Sequence, residues 1–255
     1  MAQPRRAPTR LVGVLVLGFD TATPAVSVAV HDGARVAGEA FAVDARRHGE
    51  LLAPMIAKVM ADAGVARADL TAVAVGVGPG PYTGLRVGVV TARVLGAVLG
   101  IPVYGVCTLD LIAAAVPAAP AGEFLVATDA RRKEVYWARY DGHGRRLEGP
   151  LVGPASSISG APGLTVAGAG GQLYPEAFGA VTGPAYPQAR TLCEIVAAQL
   201  DERSGPDPVR ARDGATHGTL AGARGGRPPL LAAEPLYLRR PDAREPGPPK
   251  RVTPS

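Results

Sequence analysis

The chain has 255 residues, 47% of them hydrophobic, enough for one large domain or two of about 100–150 residues each. Its net charge of +5 lies in the ends: residues 1–10 carry three Arg and no acid, residues 201–255 carry ten basic and seven acidic groups, and residues 11–200 hold 14 basic against 15 acidic. A neutral body argues against phosphate-dominated nucleic-acid recognition by its folded part, leaving direct tRNA binding to the basic tails as a third reading, and the Arg131-Arg132-Lys133 run reads as a solvated turn.

Along the chain, the charged stretch MAQPRRAPTR and the apolar run after it imitate a signal peptide. The run stops at Asp20 and continues as alternating strand, so Val12–Phe19 reads as a buried strand and is too short to span a membrane. Val14–Asp20 is a continuous apolar strand covered on both faces, and Val26–His31 and Arg35–Val43 form a hairpin turned at Asp32-Gly33. A helix starts near His48, carries Leu51, Leu52, Met55, Ile56, Val59 and Met60, and is kinked by Pro54 or begins after it. The strand Ala72–Val77 leads into the loop GVGPGPYTGLRVG, the helix Thr83–Leu99, the strand Val103–Gly105 and the helix Thr108–Val116. After the linker PAAPAG, strands are expected at Phe124–Asp129, at Glu134–Tyr140, beyond Arg145 and at Leu164–Ala167, the last ending in Gly168–Gly171. Thr191–Leu200 is a helix and Pro235–Leu238 a last apolar piece. In both halves a strand ends in Asp and a hairpin follows, a weak internal repeat suggesting two similarly built lobes. Cys107 and Cys193 lie far apart in apolar contexts and read as reduced core thiols, as in a cytoplasmic protein.

The chemistry-bearing motifs are sparse. No lysine follows the glycine loop, and neither a GxSxG elbow nor an HExxH pair is present. His31, His48, His143 and His217 never fall at ligand spacing, so no metal site is expected, and His48 reads as a capping and packing residue. Asp20 and Thr21 stand beyond the first strand, where open α/β sheets bind ligands; Asp20 reads equally as a metal–phosphate ligand or as a turn former. Gly78, Gly80, Thr83 and Arg86 complete the candidate phosphate site, but Pro79 and Pro81 remove the amide donors that a phosphate cradle requires.

The helix after this loop is more informative. Gly84, Gly88, Ala92, Gly96 and Gly100 recur every four residues, forming a ridge that admits a close backbone neighbour. Helix-interior glycine costs about 1 kcal/mol relative to Ala, so close packing is expected there. Two readings stand side by side: docking of another subunit on the ridge and the preceding helix, or internal burial in one chain. The docking surface is assigned to Leu52, Met55, Ile56, Val59, Gly84, Val87, Gly88, Thr91, Ala92, Leu95 and Gly96.

The stretches LGFDTATPAVSVAV, RHGELLAPMI, VGVGPGPYTGLRVGVVTARVLG, YGVCTLDLIA, DARRKEVYWARY and PLYLRRPDA, in this order, resemble the TsaB (YeaZ) family across most of residues 13–243. Pro81 departs from that pattern, where the family usually has Ser. The resemblance implies an α/β, two-lobed fold of the actin/Hsp70/sugar-kinase (ASKHA) type, each lobe a mixed sheet with flanking helices. The chain then divides into a tail at 1–12, an N-terminal lobe at 13–107 and a C-terminal lobe at 108–240; outside the resemblance, composition rich in Gly, Pro, Arg, Asp and Ala marks a mobile insert at 201–229, and 241–255 reads as a disordered tail. The resemblance further implies a non-catalytic, cytoplasmic subunit of the machinery that makes N6-threonylcarbamoyladenosine (t6A) beside the tRNA anticodon. In that role the chain pairs with and activates the threonylcarbamoyltransferase TsaD through the two first-lobe helices, and the ATPase TsaE joins them. Self-association uses the same helices, tRNA is reached indirectly, and no membrane is involved. No catalytic residue, metal or intrinsic cofactor is implied, with ATP/ADP and Mg entering only at the level of the complex, and peptidase activity is not expected. The alternative is an active ATPase or kinase that uses Asp20 and Thr21 at a metal–phosphate site and Gly168–Gly171 against adenosine.

Overall fold

The computed structural model describes residues 13–117, 122–204 and 227–239. The first sheet contains β1 (Val16–Asp20), β2 (Ala25–His31), β3 (Val36–Val43), β4 (Ala72–Gly76) and β5 (Val103–Val106), in the order β3-β2-β1-β4-β5. β1 to β3 are antiparallel, whereas β4 and β5 run parallel to β1. The second sheet repeats this plan with β6 (Phe124–Asp129), β7 (Glu134–Tyr140), β8 (Arg146–Pro154), β9 (Thr165–Ala167) and β10 (Val181–Thr182), in the order β10-β9-β6-β7-β8. Again the first three strands are antiparallel and the last two join in parallel. The weak sequence repeat is therefore a complete duplication of topology, with Asp20 and Asp129 ending equivalent strands. Every residue of β1, β2 and β4 is buried, as their apolar composition requires of strands covered on both faces.

Helices α1 (His48–Asp62) and α2 (Tyr82–Leu99) cover one face of the first sheet. α1 begins at His48 and continues without a break through Pro54, rather than starting after it. α3 (Thr108–Ala114) lies against β6 and β7 of the second sheet. The short α4 (Ala169–Leu173) packs on β6, and it includes most of the glycine stretch in which the preceding strand was expected to end. α5 (Ala189–Ser204) crosses back to the first sheet, where Leu192, Cys193 and Val196 pack with Val16, Ala29 and Ala74. It runs four residues into the segment expected to be a mobile insert; the rest of that insert up to residue 226, and the two tails, fall outside the described residues.

Residues 227–239 form a strap across both lobes. Leu231 exchanges two backbone hydrogen bonds with Gly105, and the Leu236 amide donates to the Val77 carbonyl. Arg239 then pairs with Glu134 and donates to the Ala130 carbonyl in the second lobe. Beneath the lobes, Asp110 of α3 and Arg146 of β8 form a buried ion pair at 3.2 Å, and the Tyr140 hydroxyl donates to the same carboxylate at 2.8 Å.

Candidate functional site

The residues singled out at the first strand end do meet, but their polar groups are consumed by the fold. Asp20 is fully buried: Ala22 N–H donates to one carboxylate oxygen at 2.8 Å and the Thr108 hydroxyl to the other at 2.7 Å. A Cβ on Gly76 would land on that carboxylate, so no room remains for a ligand there. Burial raises the Asp20 pKa to about 6, only partly offset by the Thr108 and Ala22 hydrogen bonds and by His48. Of the two readings of Asp20, the structure supports the turn former.

Thr21 is equally engaged. Its hydroxyl donates to the Gly84 carbonyl at 2.7 Å and accepts from the Gly88 amide at 3.0 Å. An α-helix joins that carbonyl and amide directly, so Thr21 is inserted as a bridge in the α2 ladder. Gly84 and Gly88 are required for this: a Cβ at 84 would meet the Thr21 carbonyl and one at 88 the Thr21 hydroxyl, at 2.6 and 2.5 Å. Gly78 and Gly80 shape the loop against Leu85 and Ala22, and Thr108 reaches that loop by accepting the Gly78 amide. Only Thr83 and Arg86 of the candidate phosphate group are exposed. Gly168 and Gly170 lie against Ala127 of β6, which accounts for them as packing residues rather than an adenosine contact. His48 also serves packing, its Nε2 donating to the Thr23 carbonyl at 2.7 Å.

This arrangement predicts a specific pH response. Folded Asp20 keeps its proton up to about pH 6, whereas the unfolded chain releases it near 3.8. Between those values the folded state holds more protons, so this group's contribution to stability falls as pH rises. Asp20→Asn preserves a carbonyl acceptor without the charge. Denaturant titrations at pH 4 and pH 7 are expected to show the variant gaining up to about 3 kcal/mol on wild type across that interval. Parallel pH profiles would show that the carboxylate is not so buried.

The glycine ridge also faces inward. Gly84, Gly88, Ala92 and Gly96 are buried against the first lobe's own strands and loops, as are Leu52 and Val59. These six are therefore removed from the expected docking surface, and of the two readings of the ridge internal burial is the one observed. Met55, Ile56, Val87, Thr91 and Leu95 are half-buried. The outward face of α2 instead presents Val90, Val94 and Val98, exposed by 53%, 55% and 76%. α2 is long and apolar enough to cross a membrane by length and composition, but its ridge side is core.

Between the lobes lie two adjoining hollows of about 160 and 230 Å³ that share Pro81 and Arg131. Their far wall is the β6–β7 turn, where Arg131, Arg132 and Lys133 take φ of 61°, 55° and 62° in succession. For residues with a Cβ this left-handed backbone costs about 1–2 kcal/mol each. The turn is held by the Asp129 carboxylate, which accepts the Arg131 amide at 2.7 Å. It is thus a strained wall of the cleft and not merely a solvated bend. Neither this strain nor the strap over it has a sequence signal, because Arg and Lys are not residues that favour such backbone.

The comparisons with known proteins agree with this geometry. Residues 41–161 match the family model described as TsaD, tRNA N6-adenosine threonylcarbamoyltransferase. An uncharacterized protein of Mycobacterium tuberculosis is 44% identical over 232 residues, 90% of this chain and 93% of that protein. The tRNA threonylcarbamoyladenosine biosynthesis protein TsaB of Escherichia coli is 38% identical over 126 residues, 49% of this chain and 54% of that protein. YeaZ from Pseudomonas aeruginosa superposes with a TM-score of 0.67 at 28% identity, covering 88% of this chain and all of that one. The chain belongs to the TsaB (YeaZ) family. Its duplicated sheets are the two lobes of the ASKHA fold. In this TsaB-family chain the strand-end acid and the glycine loop have become internal joints of the first lobe.

Proposed function

We propose that the chain acts in t6A biosynthesis as a non-catalytic subunit that docks and activates the transferase TsaD through the outer face of α1 and α2. The relatives that carry the TsaB name support involvement in t6A biosynthesis. The observation that carries the docking reading is the valine stripe on α2: Val90, Val94 and Val98 lie in line on a helix whose opposite face is already buried. Such a stripe is an unsatisfied apolar surface of the kind that marks a protein interface. Val87, Thr91 and the half-buried Met55 and Ile56 of α1 extend it. In this reading TsaE joins the TsaB–TsaD pair, any ATP/ADP or Mg belongs to the complex, and self-association of the isolated chain competes for the same stripe.

Co-purification with the TsaD paralogue tests this. Val94→Asp places a charge on the stripe without entering the core, so the melting temperature is expected to stay near wild type while TsaD capture is lost. Capture equal to wild type would overturn the docking face.

A further inference from the structure

We propose that the cleft between the glycine loop and the β6–β7 turn binds single-stranded RNA directly, with the tyrosine stack at its rim receiving a base and the turn arginines holding phosphates. Tyr82 and Tyr237 are 40% and 41% exposed at this rim, and their rings stack with centroids 5.3 Å apart. The Arg86 guanidinium lies 4.7 Å from the Tyr82 centroid, so cation and two rings form one column. Columns of this kind accept bases with little regard to sequence, because every base offers a π-face. The strap delivers Tyr237 to the column and is anchored on either side, by Leu236 to Val77 and by Arg239 to Ala130.

The charge is suited to a phosphate backbone. Arg131, Arg132 and Arg239 line the tyrosine hollow and Arg86 lies over Tyr82, four cations against Asp129 and Glu134, which pair with Arg131 and Arg239. The cleft is therefore locally basic on a body that is neutral as a whole. Arg131 is largely exposed and contributes to both hollows. It is presented by three successive left-handed residues, a strain of the type that concentrates at functional sites.

A strand lying across the surface suits the site better than a free nucleotide. The Asp20 carboxylate is sealed away from the site, and the glycines of α4 are filled by Ala127. Among the described residues no group for a metal–triphosphate or an adenosine slot remains, whereas stacking and phosphate contacts along an open groove do.

The test is fluorescence anisotropy of the isolated full-length chain with a short fluorescein-labelled single-stranded RNA, in rising salt, with ADP as competitor. Wild type is expected to bind with a steep salt dependence. Arg131→Gly/Arg132→Gly, whose glycines adopt the turn backbone freely, is expected to melt at or above wild type. It should also flatten the slope of log affinity against log salt by about 1.4, the loss of two phosphate contacts. Tyr237→Ala is expected to weaken binding roughly tenfold. Arg86→Gln/Arg131→Gln leaves the backbone unchanged, and should lower affinity however the glycine variant folds. No RNA binding by wild type would overturn the proposal, as would variants that bind like wild type. Displacement of RNA by equimolar ADP would assign the cleft to a free nucleotide instead. A lower melting temperature with RNA binding intact would leave the arginines a role in the fold alone. TsaD is absent from this assay, so its outcome is independent of the α2 docking face.

Discussion

Gly88→Leu is expected to lower the melting temperature by roughly 10 °C, as followed by circular dichroism, because the ridge of α2 is an internal joint. A Cβ at this position would sit 2.5 Å from the Thr21 hydroxyl, and a leucine side chain would push β1 and α2 apart. Overpacking of this kind costs about 1–3 kcal/mol. Expelling Thr21 from between the Gly84 carbonyl and the Gly88 amide adds about 1–3 kcal/mol, because its own buried hydroxyl loses both partners. The better helix propensity of leucine returns only about 0.8 kcal/mol. At about 2–4 °C per kcal/mol for a chain of this size, the net effect falls near the stated shift. Val94→Leu, on the exposed side of the same helix, is expected to melt like wild type, and equal melting of both variants would refute the inward ridge.

The second large effect is expected at Asp110. Its carboxylate and the Arg146 guanidinium have side-chain exposures of 4% and 7%, so each is the other's main source of charge compensation. Burial pushes the Asp110 pKa up, and Arg146 and the Tyr140 hydroxyl oppose that push. Asp110→Ala leaves a buried cation facing Tyr140 and Cys107, and removing one partner of such a pair costs about 3–5 kcal/mol. Asp110→Leu/Arg146→Met removes both charges and fills the space. It is expected to recover most of the loss in chemical denaturation, since apolar replacement of a whole buried pair is often neutral. Equal losses in the single and double variants would show that shape, and not charge, decides stability there.

The strands of both hairpins were legible from their alternation and their terminal Asp or Gly residues; β6 and β7 fall at the ends expected from sequence. The spacing of Gly84, Gly88, Ala92 and Gly96 likewise reveals a close-packed helix face, because periodicity is a local property. What approaches that face is not local. The partner is Thr21, more than sixty positions earlier, and only the fold brings them together. Asp20 was legible as a residue in a special place, but its burial under Gly76 and Thr108 depends on two other elements. The Arg131–Lys133 run is legible as a turn, but its left-handed backbone and its place in the cleft are not, and the tyrosine column joins residues far apart in the chain. α4 was missed because its glycines disfavour helix; packing against Ala127 overrides that preference.

The return of α5 to the first sheet has a consequence for the order in which the protein is made. When β5 has left the ribosome, all five strands of that sheet exist, yet the face containing Val16, Ala29, Ala72 and Ala74 lacks most of its cover until Ala189 and the residues after it emerge. At about 5–20 residues per second, several seconds of translation separate the two events. During that interval the nascent chain presents an apolar sheet surface to chaperones and to its neighbours on the polysome. A message truncated anywhere before α5 therefore yields not half a protein but an aggregation-prone one, although the first lobe looks complete on paper.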